Sequence, residues 1–323
     1  MPSLFATLMV IAGAIATTTI AGCGPQTHSN LPITVHAPMR SASRFSIPRI
    51  VCLAPSITEV LIDLKCRANI VGVTTADGRE RLPKGVHYVG SLMQPSREAI
   101  LACNPTLVIA VSGISGTSQQ WLQNSRIPLL TVSTNSLKDV YQSIVQIGAV
   151  VNRRTLAHHI ARQMREEIEA VNSVTTRLKA VRVLPLYQVS PIYTSTRSSF
   201  IANEIAAAGG TCMTAGVGED GTTTSENVLQ YQPQVILCDT RILKAVKLMP
   251  GWQTSVPAVT TNRYYWLNRD DEALVRPTPR IALAVEHLAL FLHPHHSAAV
   301  SRAFRLAQRT FTRDKSEKKR EAQ

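Results

Sequence analysis

Glu98-Ala99-Ile100-Leu101-Ala102-Cys103-Asn104-Pro105-Thr106-Leu107-Val108-Ile109-Ala110 and Glu226-Asn227-Val228-Leu229-Gln230-Tyr231-Gln232-Pro233-Gln234-Val235-Ile236-Leu237-Cys238 align in register without a gap, and this doubling limits the fold more than any other feature. Each copy has an acid, branched apolar residues two and three positions on, a proline seven positions on, and then an unbroken aliphatic run. The pattern predicts a short helix, a turn and a buried strand. Proline explains the break, because it has no N–H to donate and holds the preceding residue out of the helical region. An aliphatic run without alternation suits a parallel strand covered on both faces. Two copies of such a unit imply two similar α/β lobes, since a solenoid would show three or more.

The chain of 323 residues is long enough for two domains, and 45% hydrophobic against 17% charged residues makes it globular. Between the copies, from Arg153 to about Arg177, there is no Pro or Gly, and Leu156, Ile160, Met164, Ile168 and Val171 recur every three or four residues. This predicts the longest helix of the chain, amphipathic and placed as a stiff spacer between the lobes. His158 and His159 on it are adjacent and cannot share one face, so they are expected to be solvated.

Met1 to Gly22 carries no charged side chain and is apolar or small around Leu8-Met9-Val10-Ile11, which resembles a secretory signal. It ends in Ile20-Ala21-Gly22-Cys23, similar to a bacterial lipobox, so Cys23 is the expected lipidation site and mature N-terminus. The expected location is the cell envelope, periplasmic or on the outer face of a membrane. The Pro-, Ser- and Thr-containing stretch up to about residue 48 reads as a tether. Boundaries follow: signal 1–22, tether 23–48, first lobe 49–150, linker helix 151–178, second lobe 179–294 and a basic solvated tail 295–323.

In the first lobe, Arg49 to Leu53 is the expected first strand. The Ser56 and Glu59 spacing predicts a capping box on the helix that follows it. Strands are also expected at 70–73, 87–90, 107–111 and 128–132, and in the second lobe at 181–186 and 264–267, with helices at 198–208 and 278–292. Parallel sheets of this kind bind ligands beyond the carboxyl ends of their strands. That criterion selects Ser56, Thr75, Asp77, Met93 and Ser112 from the first lobe and Tyr187, Tyr193, Asp239 and Arg269 from the second.

The strings RIVCLAPSITE (49–59), GSLMQPSREAILACNPTLVIA (90–110), Gly209-Gly210 and Arg276-Pro277-Thr278-Pro279-Arg280-Ile281 together resemble one family over roughly residues 49–294. It is that of the solute-binding proteins serving bacterial ABC importers of cobalamin and ferric siderophores. The resemblance implies an α/β fold of two Rossmann-like, doubly wound lobes joined by one long α-helix. Further implications are a monomer and a metal-chelate ligand, cobalamin first with ferric siderophore or haem next. Partners would be an ABC permease and its ATPase and the membrane through the lipid anchor; no nucleic-acid partner is expected, since the basic residues are neither interleaved with aromatics nor set in a recognisable motif. It also implies that Glu98 and Glu226 dock into basic pockets of the permease, a role suited to acids at helix N-termini. The first-lobe loops lack the aromatics that cover the corrin in the cobalamin binders, and aromatic content is only 5%. Arg269 and Arg276 are candidates to pair with an anionic chelate.

No enzymatic activity, resident cofactor or metal is expected. HExxH, P-loop and GxSxG strings are absent, and Gly216 to Gly221 matches the dinucleotide fingerprint only as a string, without a preceding strand. The alternatives are a hydrolase or oxidoreductase on the same lobes, which would turn its ligand over, and a Zn or Mn transport protein. His293, His295 and His296 are the only cluster for the latter and are expected in a solvated terminus beyond the last helix. With Cys23 assigned to lipid, five cysteines remain. Cys52 and Cys238 read as buried core thiols, and pairing among Cys66, Cys103 and Cys212 is left open.

Overall fold

In the computed structural model, described for residues 35–36, 48–78, 82–113, 116–267 and 272–321, the chain forms two compact units. One draws on residues up to 133 and 146–154, and the other on 134–145 and 155 onward. Cys23, the signal and nearly all of the tether fall outside the described residues, as does Arg269.

The first unit is built on a six-stranded sheet in the order β1 (Val35–His36), β6 (Leu129–Val132), β5 (Leu107–Val111), β2 (Ile50–Cys52), β3 (Ile70–Val73), β4 (His87–Tyr88). All neighbours pair in parallel except β1, which runs antiparallel to β6. The central strands β2 and β5 are buried at every position. That is the reason their sequences are continuously aliphatic: both faces of the sheet are covered. Helices α1 (Pro55–Asp63), α2 (Arg97–Ala102) and α3 (Gly116–Asn124) supply the crossovers, and α4 (Leu137–Val150) continues from β6. Val51, Leu53, Val89, Ile100, Val108, Leu122 and Leu129 pack as one core.

The second unit contains α5 (Arg154–Thr175) and a parallel sheet in the order β10 (Gly210–Cys212), β7 (Val181–Leu186), β12 (Val235–Cys238), β13 (Tyr264–Trp266). Beside it lies a small antiparallel sheet of β8 (Gln188–Val189), β9 (Ile192–Tyr193) and β11 (Thr222–Thr223). The helices are α6 (Phe200–Ala207), α7 (Ser225–Tyr231), the short α8 (Leu243–Lys247), α9 (Trp252–Ser255) and α10 (Pro257–Thr260), then α11 (Ile281–Leu292) and α12 (Ser297–Glu321). The fully buried Trp252 anchors the core with Leu184, Met213, Val228 and Ile236, and its Nε1 donates to Ser225 Oγ at 2.8 Å.

The repeated stretch folds the same way in both units. Ser96 Oγ caps α2 by accepting from Ala99 N, and Thr224 Oγ1 caps α7 by accepting from Asn227 N. Ile100 and Val228 are both fully buried. The residues before the prolines, Asn104 and Gln232, have φ of 45° and 54°. Each helix therefore stops through a left-handed residue before the strand, which spares the clash a right-handed helical residue would have with the proline ring.

Four sequence expectations are corrected. Ser56 does not cap α1: Ala54 is the N-cap and Pro55 occupies the first helical position, with no side-chain cap bond. The ring presets the φ of that position, so the helix starts ahead of the serine. Secondly, α5 is not the longest helix: it has 22 residues and α12 has 25. Thirdly, the stretch expected as a solvated tail is therefore largely helical, and its Val300 and Phe304 are buried. Finally, His293 is not in a solvated terminus. It is buried between α11 and α12, with Nε2 3.2 Å from the Gly209 carbonyl oxygen, while His295 and His296 are exposed.

Candidate functional site

Because β2 to β6 run parallel, their carboxyl ends share one edge of the first sheet, and each expected first-unit residue sits on a segment leaving that edge. Ser56 lies buried in the first turn of α1, directly after β2. Thr75 and Asp77 follow β3. Thr75 is exposed, and its N–H donates to the Gly90 carbonyl at 2.8 Å, tying the loop after β3 to the one after β4. Asp77 is buried, and its Oδ2 accepts from Thr74 N at 3.1 Å and Thr74 Oγ1 at 2.7 Å. The carboxylate thus shapes its own loop by reaching back three residues. Met93 and Ser112 are half-buried, after β4 and β5 respectively. Gly90, with φ of 101°, bridges to Pro95, and a Cβ there would meet backbone atoms at 2.8 Å and 2.9 Å. Only glycine fits this turn.

The carboxyl edge of the second sheet carries Tyr187 after β7, Asp239 after β12 and Trp266 at the end of β13. The half-buried Tyr187 shares a 2.8 Å hydrogen bond with Ser195 Oγ, and burial pushes its hydroxyl pKa up, so it stays a neutral phenol. Tyr193, also half-buried, lies on β9 opposite Gln188 and Thr222. Trp266 stacks on Tyr264, centroids 5.8 Å apart at 15°. Together these rings give this edge flat apolar groups.

Asp239 is buried, and its Oδ1 accepts from Arg241 N at 2.7 Å while Oδ2 accepts from Arg241 Nε at 2.8 Å and also from the Arg241 terminal NH2. The Arg241 hydrogen bonds hold this carboxyl below the usual range. The fork of bonds orients a guanidinium whose side chain remains 57% exposed. Asp239 is therefore a positioning group, and Arg241 is the cation it presents at the strand end. Arg241 was missed in the sequence. The available signal was an acid closing a buried strand with an arginine two residues later, a spacing that lets a carboxylate cap the turn and grip the guanidinium.

Glu98 and Glu226 occupy the same register, the second helical position after a hydroxyl cap, and both are exposed. The Glu98 carboxyl is lowered, first by its backbone N–H and then by the Ser96 hydroxyl, which donates to Oε2 at 3.1 Å. Among the described residues no group of three or more His, Cys, Asp or Glu side chains could hold a metal ion, and no helix is long and apolar enough to cross a membrane.

Comparison with known proteins places these features. A family model described as periplasmic binding protein matches residues 50–270. An uncharacterized ABC transporter substrate-binding lipoprotein of Bacillus subtilis, YvrC, is 28% identical over 76% of this chain and 80% of its own length. The vitamin B12-binding protein of Vibrio parahaemolyticus is 24% identical over 74% of this chain and 87% of its own. Among solved structures, the periplasmic heme-binding protein RhuT from Roseiflexus superimposes with a TM-score of 0.66 at 26% identity, over 79% of this chain and 100% of that one. The vitamin B12-binding protein BtuF of Vibrio cholerae also gives 0.66, at 23% identity over 76% of this chain and 97% of its own, which speaks to the fold alone. With its duplicated α/β units and a model match over most of its length, the chain belongs to the periplasmic binding protein family.

Proposed function

We propose that the protein is the substrate-binding lipoprotein of an ABC importer of the vitamin B12, ferric-siderophore and haem class, and that it binds a metal chelate without altering it. The observation that carries the choice of ligand class is the carboxyl edge of the second sheet. Tyr187, Tyr193 and Trp266 offer aromatic surface there beside the oriented guanidinium of Arg241. A large ring system bearing carboxylate or phosphate groups needs both kinds of contact: apolar faces for the ring and a fixed fork of donors for the anion. Cobalamin is the first candidate, in line with the Vibrio relatives, and ferric siderophore or haem follows. Ser56, Thr75, Met93 and Ser112 would supply the polar and thioether contacts from the first unit, with Arg269 a further cation and Asp77 and Asp239 acting on their own loops.

The deciding experiment incubates the chain from Gly24 onward with cyanocobalamin, haem or a ferric siderophore and passes it through gel filtration. A corrin spectrum travelling with the protein supports cobalamin, and a porphyrin or charge-transfer band supports the other two. Free passage of all three overturns the class. Arg241→Gln should then weaken capture of whichever chelate carries anionic groups.

Delivery rests on Glu98 and Glu226, whose matched register suits one acid per unit engaging a basic permease surface. The double variant Glu98→Arg with Glu226→Arg should abolish uptake in cells while leaving ligand affinity unchanged; unimpaired uptake removes the docking role. Anchoring through Cys23 predicts that Cys23→Ser releases the protein from the membrane fraction.

A further inference from the structure

The basic C-terminal stretch is one continuous helix, and its charges are sorted. At about 100° per residue, Arg302, Arg305, Arg309, Arg313 and Arg320 on α12 (Ser297–Glu321) fall within an arc of about 80°. Their positions along the helix trace a single line about 27 Å long. Arg302, Arg305 and Arg309 are exposed. Val300 and Phe304, on the opposite side of the helix, are buried, and α12 packs along α11. Asp314, Glu317 and Glu321 keep to a strip of their own beside the row, and Lys315, Lys318 and Lys319 lie outside it. Leu306, 66% exposed, borders the row.

From this arrangement we propose that the arginine row of α12 is a membrane-contact surface that rests on anionic phospholipid headgroups. The chemistry fits in three respects. A guanidinium forks onto phosphate oxygens through two parallel hydrogen bonds, which an ammonium cannot do, and the row is made of arginine while the lysines are elsewhere. A straight file of cations on a rigid rod can meet a plane at every residue, and anionic leaflets attract such charges within a Debye length. The buried Val300 and Phe304 are committed to the protein side, so the contact is electrostatic and peripheral, and the exposed Leu306 is placed to dip into the interface. Nucleic acid is the poorer occupant, because no aromatic residue joins the row to stack on bases. The sequence also points the chain at a membrane, through its uncharged first 22 residues and Cys23. The inference does not depend on which ligand the protein carries.

The test uses the full chain with Cys23→Ser, so that no lipid anchor contributes, and measures co-sedimentation with vesicles. The readout is the gain in binding on adding phosphatidylglycerol to phosphatidylcholine. R305Q/R309Q/R313Q should reduce that gain about tenfold or more. K315Q/K318Q/K319Q, which removes the same charge away from the row, should change it by less than about threefold. Raised salt should abolish the gain, and circular dichroism should show both variants as helical as the parent. Equal losses in the two triple variants, or no gain from phosphatidylglycerol in the parent, overturns the proposal. So does arginine-dependent binding to a short DNA duplex without binding to vesicles.

Discussion

Arg49 and Arg182 share three bonds, each in its own unit, and Arg49 adds two more, from Nε at 3.2 Å and its terminal NH2 at 2.7 Å to the Cys103 carbonyl. Arg49 N donates to Thr106 Oγ1 at 2.9 Å and Arg182 N to Gln234 Oε1 at 3.0 Å. The Arg49 carbonyl accepts from Thr106 N and the Arg182 carbonyl from Gln234 N, both at 2.8 Å. Their Nε atoms reach Asn104 O at 3.1 Å and Gln232 O at 2.8 Å, the carbonyls of the left-handed residues that end α2 and α7. A charged donor thus satisfies a helix-end carbonyl at the same corner twice. Arg49→Met and Arg182→Met should each cost about 1 kcal/mol, because the bonds are charge-assisted but exposed. Urea unfolding of each variant checks this, and Arg49→Met should lose the more, since its side chain also holds the Cys103 carbonyl.

Gly209, with φ of 82°, ends α6, and a Cβ there would lie 2.4 Å from His293 Nε2 and 2.8 Å from Thr175 Cβ. Left-handed backbone and overpacking act together, so Gly209→Ala should destabilise the protein by about 2–4 kcal/mol. The variant's thermal midpoint should drop accordingly.

Acid should weaken the same corner. Burial lowers the pKa of His293, and the neighbouring His296 and Arg263 lower it further, against the hydrogen bond to Gly209. The unfolded chain therefore takes up a proton at about pH 6.5 while the folded chain does not. This contribution to stability is whole above about pH 6.5 and is lost as pH falls toward the lowered value. In His293→Gln, unfolding free energy measured from neutral pH down to pH 5 should fall less steeply than in the parent.

Glu204 is completely buried in α6, and neither carboxylate oxygen has a hydrogen-bond partner among the described residues. Desolvation raises its pKa well above the ordinary value. Here the folded state holds the proton more tightly than the unfolded one, so stability declines as pH rises above about 4.3. Glu204→Leu removes an unsatisfied polar group and should stabilise the protein at neutral pH by about 1–3 kcal/mol, with little gain at pH 4. An unfolding series over pH would show the two curves converging in acid.

Strands were the most legible part of the sequence, since runs such as Leu107 to Val111 and Val235 to Cys238 are aliphatic for the reason that both their faces are covered. The matched acids likewise carried over to matched second helical positions, and the matched prolines to matched left-handed stops. What sequence could not give was set by tertiary neighbours. Nothing local marks Glu204 as buried or turns His293 inward, because the residues that enclose them come from distant segments. Ser56 misled because Pro55 claims the position ahead of it, and the histidines after α11 read as a solvated terminus although only a single turn, Pro294 to His296, separates α11 from α12. Ser56, Thr75, Asp77, Met93, Ser112, Tyr187 and Asp239 do follow strand carboxyl ends, and the one local sign of the Asp239–Arg241 pairing was an arginine two residues after an acid that closes a buried strand.

The described cysteines, Cys52, Cys66, Cys103, Cys212 and Cys238, are all unpaired. Desolvation raises every one of their thiol pKa values, those of Cys212 and Cys238 to about 12. A thiol whose pKa is raised is less often a thiolate and so a poorer nucleophile toward disulfides and oxidants. The interior thus passivates its own sulfur, so that the folded units are guarded against thiol–disulfide exchange by burial and not by pairing.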